Sequence, residues 1–361
     1  MTLISRSVPA RGEGTVLYPV TNVNDPDYDT QYRCTPTCAA DLDISRAPSN
    51  QRQTVVFSWY NDANTFQDVA ERVGAYNEPR DFTIDVNGAP GGGVPPTTGW
   101  RTLRAVTGNV YDAGQYVLTL GGASWIRMRV TAANGSPGNR DASWQMDVAS
   151  ANSGVNDTWL FLGDSITNNS MTHREPTNWM QAISAAKPSY WPSEVNGGMS
   201  SWLTSTFLDT DPKTGQPYIT DFLNAFPDAH YVTINLGSND VGGGVSASVV
   251  LAHMETLVHD VIKAGRIPIV PTIPSAPASC RPSLANDNPA TPGTANYAIV
   301  HTLYSAFPKV VHGPDLWTYF HEHPSLISTS GAPGCPHPTS PRGENEYRAL
   351  WARTMLSEVY R

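Results

Sequence analysis

A serine, an asparagine and a histidine stand in short motifs whose residue types suit one kind of chemistry. Ser165 follows the apolar run "WLFL" in "GDSI", Asn239 lies in "NLGSND", and His337 lies in "GCPHP" near the C-terminus. A serine hydroxyl becomes an effective nucleophile only with a base in reach, and the oxyanion that then develops needs hydrogen-bond donors. If the fold brings them together, these residue types predict acyl transfer, usually hydrolysis of an ester.

The elements that would position these residues form a parallel sheet covered by helices. Beyond residue 152, strand-like runs that are apolar throughout alternate with segments of helical period, which is typical of such a sheet. The runs are "WLFLG", "HYVTINLG", "IPIVPTIP" and "KVVHGP". Two predicted helices have apolar faces made of Val250, Met254, Leu257 and Val261, and of Tyr347, Leu350, Trp351, Met355 and Val359. Loops at the carboxyl ends of parallel strands form the ligand crevice, and Ser165 stands in the first of them.

The part of the chain before residue 153 has a different pattern. In residues 46–152, short apolar runs such as "TVVFSWY" and "QYVLTLGG" are separated by turn clusters such as "NGAPGGGVPPTTG". This spacing predicts an all-β sandwich, jelly-roll-like in architecture. Residues 1–45 are rich in turn formers and are predicted to be an irregular arm. The sequence therefore predicts this arm, a β-sandwich domain at 46–152 and an α/β domain at 153–361.

Four motifs in the second domain together point to a known family. They are "GDSI" at 163–166, "NGG" at 196–198, "GSND" at 237–240 and "GCPHPTSPRG" around His337. In order and spacing they resemble the four blocks of the SGNH (GDSL) hydrolase superfamily. The resemblance covers roughly 200 residues and implies a three-layer α/β/α fold that carries a serine hydrolase.

The resemblance also implies a role for each matching residue. Ser165 would be the nucleophile, and His337 the base that takes its proton and returns it to the leaving alcohol. The oxyanion hole would consist of the backbone N–H groups of Ser165 and Gly198 and the side-chain amide of Asn239. Asp164 is interpreted as structural, because an aspartate at such a turn bonds backbone amides. No cofactor and no metal are expected.

One departure from the family pattern concerns the group that orients the histidine. The usual last block is Asp-x-x-His, but Gly334 stands three residues before His337 and has no carboxylate. Either a backbone carbonyl near Gly334 or Cys335 orients the ring, which leaves a Ser–His dyad, or an acid comes from elsewhere. Asp315 and Glu344 are the nearest candidate acids in the sequence.

Two further histidines compete with or accompany His337. His323 also precedes a proline, but Phe320 lies three residues before it, so its position favours His337 as the base. His173 follows the nucleophile and is a candidate for the lining of the substrate crevice.

Cysteine content and charge limit the compartment and the partners. We predict the disulfides Cys34–Cys38 and Cys280–Cys335, and hence a secreted or extracytoplasmic protein whose signal peptide is absent from this sequence. A zinc site is the alternative, although the usual paired spacings are missing. The net charge of −9 and the lack of a basic run do not favour binding to a polyanion, so no nucleic-acid partner is expected. No apolar run is long enough to predict a membrane span.

The two-domain order resembles that of carbohydrate esterases of family 2, which remove O-acetyl groups from plant polysaccharides and can use a Ser–His dyad. This resemblance implies an acylated small molecule or polysaccharide as substrate, with Trp202 and Trp191 as candidates to stack on sugar rings, although tryptophans here are more often core residues. Three alternatives stay open: a lipase or long-chain esterase, an O-acetyltransferase, and a non-catalytic carbohydrate-binding protein.

The sandwich domain has two interpretations of its own. It is either a glycan-binding module or a structural partner that forms one wall of the crevice, and the lack of a calcium loop or an obvious aromatic platform favours the structural role. The sequence leaves the oligomeric state open.

Overall fold

The structure is a computed structural model that describes residues 1–61, 77–135, 140–151, 157–175, 177–330 and 334–361. The chain divides into two compact units. The first comprises Met1–Thr158, His173–Pro176 and Ser184–Val195, and the second comprises Trp159–Thr172, Thr177–Ile183 and Asn196–Arg361. The predicted boundary between residues 152 and 153 falls on 152–156, outside the described residues. The division at that point stays a prediction.

Antiparallel strands build the first unit. The described residues contain nine: β1 Thr2–Leu3, β2 Ala10–Tyr18, β3 Tyr32–Asp43, β4 Thr54–Tyr60, β5 Pro79–Asn87, β6 Arg101–Val106, β7 Ala113–Thr119, β8 Trp125–Ala133 and β9 Ala142–Ser150. Their order is β6-β5-β8-β3-β9-β4-β7, with β2 beside β3 and β1 beside β9. Short 3-10 turns lie at Val20–Val23 and Ser49–Arg52.

Strand β9 belongs to both layers of this unit. Its residues 142–144 pair with β3, and its residues 145–150 pair with β4. The sheet therefore folds over, and Trp59 on β4 meets Phe82 on β5 edge-on, with ring centroids 5.6 Å apart. One apolar core joins the two layers, which confirms the predicted all-β sandwich.

The first 45 residues correct the sequence prediction, because they contain strands rather than an irregular arm. Strand β3 lies inside the sheet, paired with β2, β8 and β9. The prediction was wrong because "CTPTC" carries a proline and reads as a turn, while pairing on both sides overrides local propensity. Opposite Gly14 of β2, residues 36–38 form a bulge, and the Cys34–Cys38 disulfide bridges it.

The second unit is built around a parallel sheet. The strands of this sheet are β10 Thr158–Gly163, β11 Ser193–Gly198, β12 Tyr231–Asn235, β13 Ile267–Val270 and β14 Val311–His312, in the order β11-β10-β12-β13-β14. Thr158 of β10 and Ser193–Val195 of β11 are assigned to the first unit. β10 pairs in parallel with β12, β12 with β13, and β13 with β14. The carboxyl ends of β10, β12, β13 and β14 therefore share one edge, and the motifs of Ser165 and Asn239 begin there.

Helices connect these strands and follow the last of them. They are α1 Ser165–Ser170, α2 Trp179–Ala186, α3 Thr204–Leu208, α4 Tyr218–Ala225, α5 Ser238–Gly242, α6 Ala247–Lys263, α7 Pro282–Ala285, α8 Ala295–Ala298, α9 Tyr304–Ala306, α10 Leu316–Glu322 and α11 Arg342–Glu358. A π-helical segment, Ile299–Leu303, joins α8 to α9, and a 3-10 turn lies at Pro324–Leu326. The predicted face of α6 is fully buried, and Tyr347, Trp351 and Met355 of α11 are buried. The α/β fold class is confirmed.

Both predicted disulfides, Cys34–Cys38 and Cys280–Cys335, are present. No free cysteine remains in the described part of the chain, so no thiolate is available for the alternative zinc site. Within the described ranges, no helix has the length and apolar character needed to cross a bilayer.

Candidate active site

The nucleophile candidate stands on a sharp turn between β10 and α1. Ser165 is the first residue of α1, and Asp164 caps the helix because its Oδ1 accepts the Ile166 N–H at 2.9 Å. A Cβ on Gly163 would lie 2.0 Å from Thr167 Oγ1 and 3.0 Å from the Asn235 carbonyl oxygen. Only glycine therefore permits the strand to end so close to the helix. Ser165 itself remains half-buried.

His337 lies beside Ser165, although 172 residues separate them in the sequence. Its Nε2 is 2.7 Å from Ser165 Oγ, and its Nδ1 is 2.9 Å from the Gly334 carbonyl oxygen. Because a carbonyl oxygen can only accept, Nδ1 must carry the proton of a neutral ring. Nε2 then has a free lone pair that accepts the Ser165 hydroxyl. The geometry is that of a nucleophile and a base, with a backbone carbonyl as the third group.

The loop that carries His337 is held at several points. Ser328 N–H donates to the His337 carbonyl at 2.8 Å, and His337 N–H donates to the Gly334 carbonyl at 3.0 Å. Ile327 and Pro338 form an isolated antiparallel bridge. The Cys280–Cys335 disulfide joins the loop to the segment before α7, two residues from the histidine.

The two acids considered as partners for His337, Asp315 and Glu344, make other contacts or lie elsewhere. Asp315 caps α10, where its Oδ1 accepts the Thr318 N–H at 3.1 Å and the Thr272 hydroxyl at 2.9 Å. Glu344 is buried in the first turn of α11. In the described part of the chain, no ion pair links His337 to a carboxylate. The competing histidine, His323, is exposed, and its Nδ1 lies 2.8 Å from the Tyr319 carbonyl.

Asn239 is positioned by a backbone carbonyl that the sequence did not single out. It lies in the first turn of α5, and its Nδ2 donates to the Trp202 carbonyl at 2.9 Å. An amide nitrogen has two hydrogens, so one stays available for an oxyanion. Gly237, at the N-cap of α5, has φ +115°, a conformation that favours glycine.

Gly198 makes contacts that differ from those expected of an oxyanion donor. Its N–H donates to Asn196 Oδ1 at 3.1 Å, and its carbonyl accepts Asn168 Nδ2 at 3.0 Å. A Cβ on Gly198 would lie 2.3 Å from the Asn168 nitrogen, so glycine is needed for β11 to approach α1. An oxyanion would have to share the Gly198 N–H with Asn196 Oδ1 or replace that acceptor.

Asp164 is buried in a site that does not favour its charge. Burial raises the pKa of this carboxyl to about 7, and the charge of Asp240 contributes to the rise. Asp240 is itself held by the backbone N–H and the hydroxyl of Thr204, at 3.0 and 2.6 Å. These contacts fit a structural role for Asp164 at the turn.

The match to a known family agrees with this geometry. The sequence model of the GDSL-like Lipase/Acylhydrolase family matches residues 161–341. This range holds Ser165, Gly198, Asn239 and His337, and it spans half of the chain. The chain belongs to this family. The GDSL-like acylhydrolases act on acyl esters, so the chain is assigned to the ester hydrolases.

Solved structures similar to this GDSL-like chain fall into two groups. An acetyl xylan esterase from Geobacillus stearothermophilus is 19% identical, covering 57% of this chain and 97% of its own, with a TM-score of 0.40. A G-D-S-L family protein from Veillonella parvula is 16% identical, with 56% and 98% coverage and a TM-score of 0.38. A chitosan-binding module from Paenibacillus sp. IK-5 is 16% identical, with 41% and 98% coverage and a TM-score of 0.30. At these values no functional argument follows. The comparison with curated proteins found no match.

Two predicted substrate contacts in this acylhydrolase have different outcomes. His173 is 2% exposed and packs on the Tyr60 ring with centroids 4.3 Å apart, so it offers no surface to a substrate, which corrects the prediction. The residue type alone did not distinguish a crevice from a core. Trp202 is half-buried and packs edge-on against Phe207 and Tyr218, both at 4.9 Å. Its contact with substrate stays a prediction.

Proposed function

We propose that this acylhydrolase is a serine esterase that removes small acyl groups, chiefly O-acetyl, from carbohydrates. The observation that supports the proposal is the placement of His337 between Ser165 Oγ and the Gly334 carbonyl. In that arrangement the ring accepts a proton at one nitrogen while the other nitrogen is held by a hydrogen bond. The reaction class follows from this dyad and from the family.

The first half of the reaction transfers the acyl group to the enzyme. As Ser165 Oγ forms a bond to the ester carbonyl carbon, its proton moves to His337 Nε2, and the carbonyl oxygen becomes an oxyanion. The imidazolium then gives that proton to the alcohol oxygen, and the bond between carbon and alcohol breaks. The alcohol leaves and an acyl–Ser165 ester remains.

The second half releases the acid. Water donates a proton to His337 Nε2 as its oxygen attacks the acyl carbon, and the bond to Ser165 Oγ breaks when the proton returns to that oxygen. The Gly334 carbonyl stabilises the transient imidazolium as the partner of Nδ1–H, a task that a carboxylate performs in a triad. One water is consumed, and one carboxylic acid and one alcohol are formed.

The oxyanion needs donors that are in place before the reaction. The free hydrogen of the Asn239 amide and the Ser165 N–H at the start of α1 fit this role, with Gly198 as the further predicted donor. A donor that is already oriented stabilises charge without reorganisation, and removing one typically costs about 100- to 1,000-fold in kcat.

The cleft beside Asn239 has a volume of about 170 Å³. Pockets for drug-sized ligands usually measure ~300–1,000 Å³, so a long acyl chain would have little room there. The half-buried Trp202 ring supports a sugar as the alcohol, because aromatic faces stack on sugar rings. The two disulfides favour an oxidising compartment, where such polysaccharides occur.

The test is hydrolysis of p-nitrophenyl esters of increasing acyl length, followed by acetate release from acetylated polysaccharides. We expect a preference for acetyl and a loss of at least about 1,000-fold in kcat for Ser165→Ala and for His337→Ala. His323→Ala is the matched control, since this exposed histidine also precedes a proline, and it should retain activity. Preference for long chains would indicate a lipase instead. Acetyl transfer to an added alcohol in excess of hydrolysis would indicate a transferase, and a folded but inactive protein would indicate a binding role.

A further inference from the structure

A polar cleft adjoins the catalytic residues within the second unit. It has a volume of about 170 Å³ and is lined by Ser238, Asn239, Gly242, Gly243, Arg281 and Pro336. Asn239 is the proposed oxyanion donor, and Pro336 directly precedes His337. The cleft is thus lined both by the proposed oxyanion donor and by the residue next to the proposed base.

Arg281 supplies the only side-chain charge among the residues that line this cleft. It follows Cys280, so the disulfide to Cys335 ties its backbone to the loop that carries His337. Its N–H donates to the Pro277 carbonyl at 3.0 Å, and its carbonyl accepts the Ala285 N–H at 3.1 Å. The backbone is thus fixed on both sides, while the side chain is exposed.

Among the described residues, no side-chain hydrogen bond or ion pair holds the guanidinium of Arg281. Among the ion pairs of the described residues, none involves Arg281, whereas Arg127 and Arg129 of the first unit pair with acidic side chains. The protein carries a net charge of −9, which repels an anionic ligand. A cation beside the proposed catalytic residues reduces this repulsion locally. Guanidinium groups bind carboxylates through two parallel hydrogen bonds.

We infer that Arg281 binds a carboxylate of the substrate, so that the preferred substrates are acyl esters that carry an acidic group, such as those of acidic sugars. The inference rests on the proposed esterase function and narrows its substrate class. The carboxylate belongs either to the alcohol part or to the acyl part of the ester, and the chemistry at Arg281 is the same in both cases. The experiment below separates the two.

Gly242 offers a second way to test the cleft. A Cβ added to Gly242 meets no atom within 4 Å, and its φ is not in the left-handed region. Gly242→Gln therefore adds an uncharged side chain at the cleft lining without straining the backbone. It should compete with a carboxylate for the same space.

The experiment compares charged and neutral esters of matched shape. For the alcohol part, the pair is 3-acetoxybenzoate and 3-acetoxybenzamide. For the acyl part, it is the p-nitrophenyl esters of succinate and succinamate, with uncatalysed hydrolysis subtracted. We expect the intact protein to prefer the charged member of one pair, and Arg281→Gln to lower that ratio of kcat/KM values about tenfold. The pair that responds identifies the part of the ester that carries the carboxylate.

Three variants and a salt series complete the test. Arg281→Lys should restore part of the preference, and Gly242→Gln should reduce it. Lys213→Gln, which removes an exposed cation outside the cleft lining, should leave the ratio unchanged. High salt should weaken the preference because Arg281 is exposed.

An equal ratio in the intact protein and in Arg281→Gln, for both pairs, would overturn the inference while ester hydrolysis itself stands. A ratio that falls as much in Lys213→Gln would also overturn it, since the effect would then reflect net charge. Absence of hydrolysis for all four esters in the folded protein would instead be a failure of the proposed esterase function.

Discussion

The His337 ring is held between two oxygens, with Nε2 2.7 Å from Ser165 Oγ and Nδ1 2.9 Å from the Gly334 carbonyl. The carbonyl determines which nitrogen carries the proton, so the ring faces the serine as an acceptor. A carbonyl is neutral and stabilises an imidazolium less than a carboxylate does. The position of residue 334 and of its loop therefore matters more here than in a triad.

Gly334→Ala should lower kcat with little change in KM. Gly334 has φ +74°, where a side chain costs about 1–2 kcal/mol, and relief of that strain would turn the carbonyl away from His337. Steady-state kinetics on an acetyl ester and a thermal melt test this. Gly293→Ala, at φ +90° with no atom within 4 Å of the added Cβ, is the control for backbone strain alone. Equal kcat values in the two variants would contradict the orienting role.

Removing the Cys280–Cys335 disulfide should reduce both stability and activity. The bridge closes a separation of 55 residues, for which chain entropy predicts a loss of about 4 kcal/mol, and it restrains the loop that carries His337. Cys280→Ser/Cys335→Ser is measured by denaturant unfolding and by kcat/KM at a temperature where it is folded.

The Cys34–Cys38 pair provides the matched control for that variant. Its separation of 4 residues predicts a smaller loss, about 2 kcal/mol, and it bridges a bulge within β3 of the first unit. Cys34→Ser/Cys38→Ser should keep kcat/KM. If both double variants lost activity to the same extent, the specific effect on the His337 loop would be refuted.

Asp164 should make the protein less stable as the pH rises from about 4 to 7. Its folded pKa of about 7 exceeds the ordinary value of 3.8, so in this range the folded state binds more protons than the unfolded state. This one group lowers the free energy of unfolding by up to about 1.4 kcal/mol per pH unit there. Asp164→Asn keeps a capping side chain but cannot titrate.

Unfolding of the Asp164→Asn variant and of the intact protein is compared from pH 4 to pH 8. The difference in stability should shift in favour of the variant as the pH increases to 7 and then level off. Parallel curves would show that the carboxyl is ionised in the folded protein throughout this range.

A fragment of residues 153–361 should be less stable than the intact chain. Residues 184–195 belong to the first compact unit, where Gln115 Nε2 donates to the Ser193 carbonyl at 2.8 Å and to its hydroxyl at 2.7 Å. The fragment loses these hydrogen bonds, each of which contributes about 0.5–1.5 kcal/mol net to stability. Gln115→Leu in the full chain tests one such contact. A fragment with unchanged stability and activity would contradict the prediction and exclude a wall role for the sandwich.

Local patterns predicted much of the fold. The run "TVVFSWY" coincides with β4, and the face of Val250, Met254, Leu257 and Val261 is buried on α6. Such periodicity depends on neighbours in the sequence and is visible without the fold. The strand β3 was missed for the opposite reason, since its pairing with β2, β8 and β9 comes from distant residues.

The sequence likewise predicted only part of the candidate site. Motif order and residue type selected Ser165, Asn239 and His337, and cysteine number and context indicated both disulfides. Burial could not be read from residue type, so His173 was taken for a crevice residue although it lies in the first unit against Tyr60. The N–H of Gly198 was assigned to an oxyanion, but its hydrogen bond to Asn196 Oδ1 depends on the conformation of that turn.

By itself the sequence indicated the family, the two fold classes and the candidate nucleophile and base, because these depend on residue types and their order along the chain. Tertiary structure alone decided that the Gly334 carbonyl orients His337 and that Arg281 reaches the cleft beside Asn239. Backbone carbonyls occur at every residue and carry no signal in a sequence. Their role depends on where a loop places them in space.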